Sequence, residues 1–238
     1  MSPITASWLV HGCMRLSDYD EEGRVSLKVR DLISKMYQGV EFRIRSWPQR
    51  GFRDTLWWYE KSVGIPGQAA SYFLKVDNWR GPNLYVGITV EKAYEDEGLA
   101  HEIAAARGQP VEWWWLDDSW DWHRAVASLS QVKPLVVSAA GALQSELFLW
   151  LEFSNGKPDN RYYVVKQRDL YWRGGFRPID WEELHEFVAR PRPRSWGGVF
   201  IARVFSLGEC SPYLEESRLM EVFEALKPIR DLWRGFRP

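Results

Sequence analysis

The alternation of hydrophobic and polar residues along the chain predicts a mixture of helices and strands. Between residues 25 and 37 the hydrophobic side chains recur at helical spacing, and Gly39 stands where a glycine commonly ends a helix. Val40, Phe42 and Ile44 then alternate with charged residues, which is typical of a strand with one buried face. A helix followed by a half-buried strand is therefore the first predicted unit of the fold.

Further strands are predicted where β-branched and aromatic residues cluster between turn-forming residues. The sequence Asn-Trp-Arg-Gly-Pro-Asn at 78–83 is a strong turn signal, and 155–160 separates a second pair of strands as a hairpin. Together these segments indicate antiparallel neighbours. The predicted strands are 40–45, 55–61, 71–77, 84–90, 111–116, 147–153, 161–168 and 198–205.

Hydrophobic spacing and capping residues predict four more helices. Asp180 and Glu183 resemble a capping box, and Pro212 stands at the first position of a C-terminal helix, where proline is well tolerated. The segment 135–142, which follows Pro134, fits either a short helix or a strand. The predicted helices are 95–107, 118–130, 181–189 and 211–227.

The order of these elements favours an α+β fold with mainly antiparallel sheets and packed helices over a doubly wound parallel sheet. Both halves contain a strand followed by a helix, at 84–90 and at 198–205, which suggests two degenerate repeats of one α+β unit. We therefore divide the chain into an N-terminal half, 1–110, and a C-terminal half, 111–238. The same pattern also fits one continuous domain.

Composition places the chain among soluble globular proteins, since 45% of its 238 residues are hydrophobic and 26% are charged. Cys13 and Cys210 have no metal-binding or redox spacing, and so few cysteines are typical of a reducing compartment. The N-terminus lacks a signal-peptide pattern, and the most apolar segment, 135–151, is too short to cross a bilayer. We expect a cytoplasmic protein with no membrane partner.

Charge is unevenly distributed, although the formal net charge is only −1. Residues 91–121 carry a net charge of −7, whereas 41–53 carry +3 and 157–204 carry +4. The small overall charge excludes a strong general attraction to nucleic acid. The acidic middle and the basic flanks either complement each other inside the fold or form two separate surfaces.

Three short segments combine tryptophan, arginine, glycine and phenylalanine in a chain that has 15 tryptophans. They lie at 47–53, 172–178 and 233–238. Aromatic and guanidinium planes can stack on unpaired bases while arginines contact phosphates, which would make these segments binding platforms. In a purely structural interpretation, the rings anchor turns to the core and the arginines cover them.

The first functional hypothesis is a non-catalytic module that presents these aromatic and arginine surfaces to single-stranded or distorted nucleic acid. It includes the Arg-Pro alternation at 190–194, which predicts an extended and exposed segment. The candidate nucleic-acid-binding residues are Trp47, Arg50, Phe52, Arg53, Trp79, Arg80, Trp172, Arg173, Phe176, Arg177, Arg192 and Arg194.

The second hypothesis is a protein–protein interaction module such as an inhibitor, an immunity protein or an assembly subunit. Tryptophan, tyrosine and arginine are the residues enriched in interface hot spots. The acidic segment 91–121 would also attract a basic partner by long-range electrostatics.

The third hypothesis is a hydrolase that uses Asp117, Asp121 and His123 beside the tryptophans of 113–122. However, a carboxylate at 117 or 118 is also what a helix start requires, and residues 121 and 123 would not share a helix face. The four histidines have no paired metal-ligand spacing, and the chain contains no catalytic or nucleotide-binding signature. The sequence therefore favours a binding protein over an enzyme, with no cofactor and no metal.

Overall fold

The computed structural model describes residues 26–48, 54–60, 70–77, 83–92, 94, 97–108, 110–111, 121–154, 158–165, 176–190, 192, 195–206, 209 and 216–235. Within this part of the chain, eight strands form one sheet in the order β1-β2-β3-β4-β8-β5-β6-β7. The strands are β1 (Phe42–Pro48), β2 (Asp54–Glu60), β3 (Ser71–Asp77), β4 (Asn83–Lys92), β5 (Leu147–Ser154), β6 (Pro158–Val165), β7 (Arg177–Pro178) and β8 (Trp196–Ser206).

Six helices accompany this sheet in the described part of the chain. They are α1 (Ser26–Met36), α2 (Glu97–Arg107), α3 (Trp122–Ala127), α4 (Leu129–Ala142), α5 (Trp181–Ala189) and α6 (Glu216–Arg234). All strand pairs are antiparallel except β6 with β7. The predicted α+β class with mainly antiparallel strands is therefore confirmed.

The centre of the sheet joins the two halves of the chain. Strands β4 and β8 pair from Asn83 with Ser206 to Lys92 with Gly197. Gly87 makes this approach possible, because a Cβ atom at that position would lie 2.1 Å from the carbonyl oxygen of Ile201. The division near residue 110 and the two repeats stay predictions. In the sheet, the first half adds its strands in chain order and the second half does not.

The main hydrophobic core lies between one face of the sheet and helices α1, α3, α4, α5 and α6. We call this side of the sheet the helical face. Its strand residues alternate with those of the opposite face, as the two-residue period of a strand requires. Helix α2 contributes instead to a smaller cluster that includes Trp196.

The opposite side, which we call the aromatic face, is a layer of large rings. Trp150 stacks on Phe200 with their centroids 4.9 Å apart, and Phe73 meets both rings edge-on. The buried residues of this layer are at most 8% exposed. The aromatic face is therefore a second core and not a surface open to a ligand. Its buried members are Trp57, Phe73, Tyr85, Phe148, Trp150, Val164, Phe200 and Ala202.

Several local predictions are confirmed by the structure. Helix α1 and strand β1 lie where the hydrophobic pattern placed them, and Gly39 has a positive φ of 74°. The Asp180 side chain accepts hydrogen bonds from the backbone N–H groups of Glu182 and Glu183, at 3.0 and 3.1 Å, and so caps α5. The predicted strand 111–116 falls outside the described residues from position 112 onward.

The prediction of one helix over 118–130 is wrong in the part that the structure describes. Helix α3 ends at Ala127, Ser128 lies between the two helices, and α4 then continues through Pro134 to Ala142. The ambiguous segment 135–142 is therefore helical. Burial of Val132, Val136 and Ala139 along one side of α4 explains why this helix forms in spite of its proline.

The predicted end of the C-terminal helix at residue 227 is also wrong. Helix α6 continues through Pro228 to Arg234, while residues 211–215 of the predicted helix lie outside the described part. An internal proline costs about 3 kcal/mol. Each fully buried large side chain contributes about 1.5–3 kcal/mol, so burial of Ile229 and Trp233 outweighs that cost. None of the described helices is long and apolar enough to cross a membrane.

Candidate functional site

Two of the predicted arginines meet at one edge of the sheet, together with a third that the sequence analysis did not identify. Arg161 pairs with Asp159 at 3.0 Å, and Arg192 pairs with the same carboxylate at 3.4 Å. Glu183 pairs with Arg177 and lies 3.9 Å from the Nε atom of Arg161. These five side chains form a continuous row of alternating charge, which we call the arginine edge.

Buried phenylalanine rings lie beneath this row. The Arg161 guanidinium is 4.3 Å from the centre of the Phe187 ring. Arg192 lies 4.2 Å from the same ring and 4.2 Å from that of Phe153. The two rings are only 1% and 3% exposed. The guanidinium groups therefore cover the rings, so the contact surface at this edge is charged and not aromatic.

Arg192 has a structural role in the end of helix α5. Its guanidinium donates hydrogen bonds to the carbonyl oxygens of Phe187 and Arg190, which are acceptors that the helix end leaves unsatisfied. Its own carbonyl accepts hydrogen bonds from Ser195 Oγ at 2.9 Å and from Lys92 Nζ at 3.2 Å. Burial lowers the pKa of Arg192. Only 13% of its side chain is exposed, so Arg192 orders the edge more than it offers a free charge.

Arg177 is the most accessible cation of the edge, with half of its side chain exposed. Its hydrogen bond to Glu183 raises the pKa of the guanidinium, which therefore stays charged. Its neighbour in sequence, the predicted ring Phe176, is half-buried and packs edge-on against Phe148 and Tyr162 at 4.9 and 5.3 Å. Phe176 is thus a partly buried member of the aromatic face beside the arginine edge.

The other predicted site residues lie outside what the structure describes. Trp47 belongs to β1, but its side chain is among those not described. For the rest of the set, the structure describes neither the backbone nor the side chain. These residues are Arg50, Phe52, Arg53, Trp79, Arg80, Trp172, Arg173 and Arg194. Their assignment to nucleic-acid binding stays a prediction.

The C-terminal copy of the Trp-Arg-Gly-Phe segment is structural as far as it is described. Trp233 is fully buried in the main core. Arg234 pairs with Glu60 at 2.6 Å and with Asp121 at 3.3 Å, and Asp121 also accepts a hydrogen bond from the Ala70 N–H at 2.7 Å. These groups join α6, β2 and the start of α3, so they hold the fold together and offer no binding surface.

The residues of the hydrolase hypothesis do not converge where they are described. Asp121 is fully buried within its ion pair and backbone contact, whereas His123 is exposed to solvent. Asp117 lies outside the described residues. Among those residues, no group of three or more His, Cys, Asp or Glu side chains is placed to hold a metal ion.

A groove between helices α4 and α5 is the second candidate surface. It has a volume of about 440 Å³ and a mainly apolar lining. Trp181, Leu129 and Leu184 supply apolar surface, and polar side chains complete the lining. We call it the α4–α5 groove and define it by Leu129, Ser130, Lys133, Trp181, Glu182, Leu184, His185 and Glu186.

Sequence reasoning missed this groove because two separate helices form it, and no local motif specifies how they pack. One signal was present: Glu182 and Glu186 stand four residues apart on a predicted helix and so share one side of it. Comparisons of the chain with protein-family models, with curated proteins and with solved structures found no match. The arginine edge and the α4–α5 groove are therefore the two candidate binding surfaces in the part of the chain that the structure describes.

Proposed function

We propose that the protein is a non-catalytic binding protein that holds a segment of a partner protein in the α4–α5 groove. The groove itself is the observation that carries this proposal, because it is concave, mainly apolar and bordered by charged side chains. An apolar centre with a polar rim is the usual arrangement of a protein–protein interface.

Trp181 is the expected anchor of this interface. It packs partly against the main core, and its remaining surface lines the groove. A tryptophan held in place by its own protein offers a large contact area at little cost in conformational entropy. Such residues are the most common hot spots of protein interfaces.

The apolar surface extends from the groove along α4. Val137 lies one helical turn after Lys133, on the same side of the helix, and is 52% exposed. A valine this exposed is unusual among the large hydrophobic residues that the structure describes. Val137 therefore enlarges the area that a partner can cover beyond the groove itself.

The described aromatic rings favour a protein partner over unpaired bases. Base stacking needs an open ring face. Most rings of the aromatic face are buried against one another, and those of the arginine edge lie under guanidinium groups. A protein segment needs neither surface, because its side chains would enter the groove.

Capture experiments with matched variants test this proposal. Purified protein is incubated with nuclease-treated lysate of its native cells, and bound proteins are quantified for wild type, Trp181→Ala, Val137→Glu and the control Ala105→Glu on the exposed side of α2. We expect one protein whose yield falls by about tenfold or more with Trp181→Ala and Val137→Glu, as for a hot spot, while the control retains it. Equal capture by all four folded proteins would contradict the proposal.

The convergence of Arg177 and Arg192 supports a second candidate function, the binding of single-stranded nucleic acid along the arginine edge. Arg161 and Arg177 have side-chain exposures of 33% and 50% and could contact phosphates. Their carboxylate partners, Asp159 and Glu183, are themselves partly exposed, and exposed ion pairs contribute only about 0–1 kcal/mol. Phosphates could therefore replace these carboxylates at little cost.

Fluorescence anisotropy with a labelled single-stranded oligonucleotide tests this second function. If it is right, wild type binds at low salt, and Arg161→Glu with Arg177→Glu weakens binding by about tenfold and flattens the salt dependence. Lys133→Glu, on α4 at the α4–α5 groove, serves as the control and should leave the affinity for the oligonucleotide unchanged. Absence of binding by wild type at low salt would exclude nucleic acid at this edge.

Both functions would operate in the cytoplasm under this proposal, since Cys13 and Cys210 are the chain's two cysteines and a cysteine-poor composition suits a reducing compartment. Fractionation of native cells with an antibody against the protein tests the location. Recovery from the cytoplasmic fraction is the expected result, and recovery from membranes or from outside the cell would contradict it.

A further inference from the structure

We propose that the occupant of the α4–α5 groove is an amphipathic helix whose polar flank carries lysine or arginine. This inference rests on the proposed function and specifies the chemistry of the partner. It is motivated by Glu182 and Glu186, two glutamates on the groove lining that stand one helical turn apart on α5.

Neither glutamate forms an ion pair within the residues that the structure describes. Like charges four residues apart on a helix destabilise it by a few tenths of a kcal/mol, about 0.2–0.5. Glu182 lies in the first turn of α5, where the helix dipole favours a negative charge. Glu186 lies beyond that turn and has no such compensation, so α5 carries an unfavourable charge at the groove.

Glu183, on the same helix, provides an internal comparison. Its carboxylate is engaged by Arg177 and by Arg161 at the arginine edge. The charge of Glu183 is therefore neutralised within the protein, while the charges of the two glutamates that line the groove are not. Lysine or arginine side chains of a partner would neutralise Glu182 and Glu186 as the two arginines neutralise Glu183.

The other charged and titratable groups of the lining define where those cations would lie. Lys133 is on α4, across the groove from the two glutamates, and His185 stands between them on α5. A lysine or arginine of the partner would be repelled by Lys133 and attracted towards α5. The partner should therefore have its basic residues on one flank only.

A helix is the form of occupant that fits a groove between two helices. Its side chains at helical spacing can fill the groove as ridges, with apolar residues against Trp181, Leu129 and Leu184. Basic residues one position to the side would then reach Glu182 and Glu186. The expected partner segment thus has apolar residues at i, i+3 or i+4, and i+7, with lysine or arginine along one flank.

Two synthetic helical peptides test this inference directly. They share the same apolar positions and differ only in the flank, which is lysine in one and glutamate in the other. We expect wild type to bind the lysine peptide about tenfold more tightly than the glutamate peptide at low salt, and the difference to shrink as salt is added. Fluorescence anisotropy of labelled peptides measures both affinities.

Glu182→Gln with Glu186→Gln should remove this preference, and Glu221→Gln with Glu224→Gln on the exposed side of α6 is the matched control. Equal binding of both peptides, binding of neither, or a preference that survives the groove variant would overturn the inference. If both peptides bind equally and Trp181→Ala abolishes their binding, the groove still binds protein and only the cationic partner is excluded. If the groove does not bind a protein at all, the yield of protein captured from lysate will be the same for wild type and Trp181→Ala.

Discussion

Arg234, in the last turn of α6, pairs with Glu60 of β2 at 2.6 Å, although 174 residues separate them in the chain. The same guanidinium also reaches Asp121 at 3.3 Å. The arginine side chain is 4% exposed and Asp121 is fully buried. A segment whose sequence resembles a binding platform thus closes the fold by pairing buried charges.

Replacing Arg234 should strongly destabilise the protein. Arg234→Ala removes the nearest cation from two largely buried carboxylates, which keep only longer contacts with Arg230 at 3.6 Å and Arg124 at 3.5 Å. Breaking a buried pair costs up to about 3–5 kcal/mol. Lys28→Ala, which breaks an exposed pair with Glu216, should cost less than about 1 kcal/mol. Urea denaturation measures both free energies of unfolding, and similar losses for the two variants would contradict this role of Arg234.

Alanine at Gly87 should prevent correct pairing of the central strands. The added Cβ would lie 2.1 Å from the Ile201 carbonyl oxygen and 2.8 Å from the Ala202 Cα atom, and neither backbone atom can shift without moving β8. Gly141→Ala in α4 is the matched control, since nothing lies within 4 Å of its added Cβ. We expect loss of folding for the first variant by circular dichroism. The second should gain about 0.5–1 kcal/mol, and comparable stability of both would be unexpected.

Pro228→Ala should stabilise the protein. Proline within a helix lacks one backbone donor and costs up to about 3 kcal/mol relative to alanine. Pro228 is exposed, so its replacement removes no core packing. We expect the free energy of unfolding to rise by about 1–3 kcal/mol in urea denaturation. A decrease would show instead that the proline bends α6 so that Arg230 and Trp233 can be buried.

Stability should fall in alkaline solution because of Tyr37. Burial raises its pKa to about 12. Its hydroxyl donates a hydrogen bond to the Asp231 carboxylate at 2.8 Å and lies 2.8 Å from the Tyr72 hydroxyl. An unfolded tyrosine loses its proton near pH 10, about two units lower. Between these pH values the unfolded chain binds fewer protons than the folded chain. The free energy of unfolding therefore falls as the pH rises.

Tyr37 therefore makes its full contribution to the free energy of unfolding below about pH 10. This contribution, about 2–3 kcal/mol, is lost as the pH rises towards 12. Tyr37→Phe should make the alkaline decline shallower. Some decline should remain, because burial also raises the pKa of Tyr72 well above its usual range. Urea denaturation across this pH range is the measurement, and an equally steep decline in the variant would exclude Tyr37 as a cause.

Local patterns in the sequence predicted the elements that depend on local chemistry. The alternation in β1, the spacing in α1 and the Asp180 cap each act within a few residues, and all three are present in the structure. The predicted helix ends at residues 130 and 227, shortly before Pro134 and Pro228, are wrong for the opposite reason. At both prolines, burial of neighbouring residues against distant parts of the chain stabilises the helix more than proline destabilises it.

The candidate surfaces could be predicted only in part. Arg177 and Arg192 were recognised in arginine-rich segments, but Arg161 stands alone on β6, and only sheet topology brings it to the same edge. The α4–α5 groove depends on how two helices pack, which no short motif specifies. The Trp233–Arg234 pair was misleading, because its composition fits a binding platform while its position on α6 makes it core.

Photo-crosslinking in native cells tests the proposed function most directly. A photoreactive amino acid replaces Lys133 at the rim of the groove or, as the control, Glu102 on the exposed side of α2. We expect irradiation to yield a discrete adduct with one protein from position 133, reduced by Trp181→Ala, and none from position 102. No adduct at 133, an adduct with nucleic acid, or the same adduct from both positions would contradict the assignment of the α4–α5 groove as a protein-binding site.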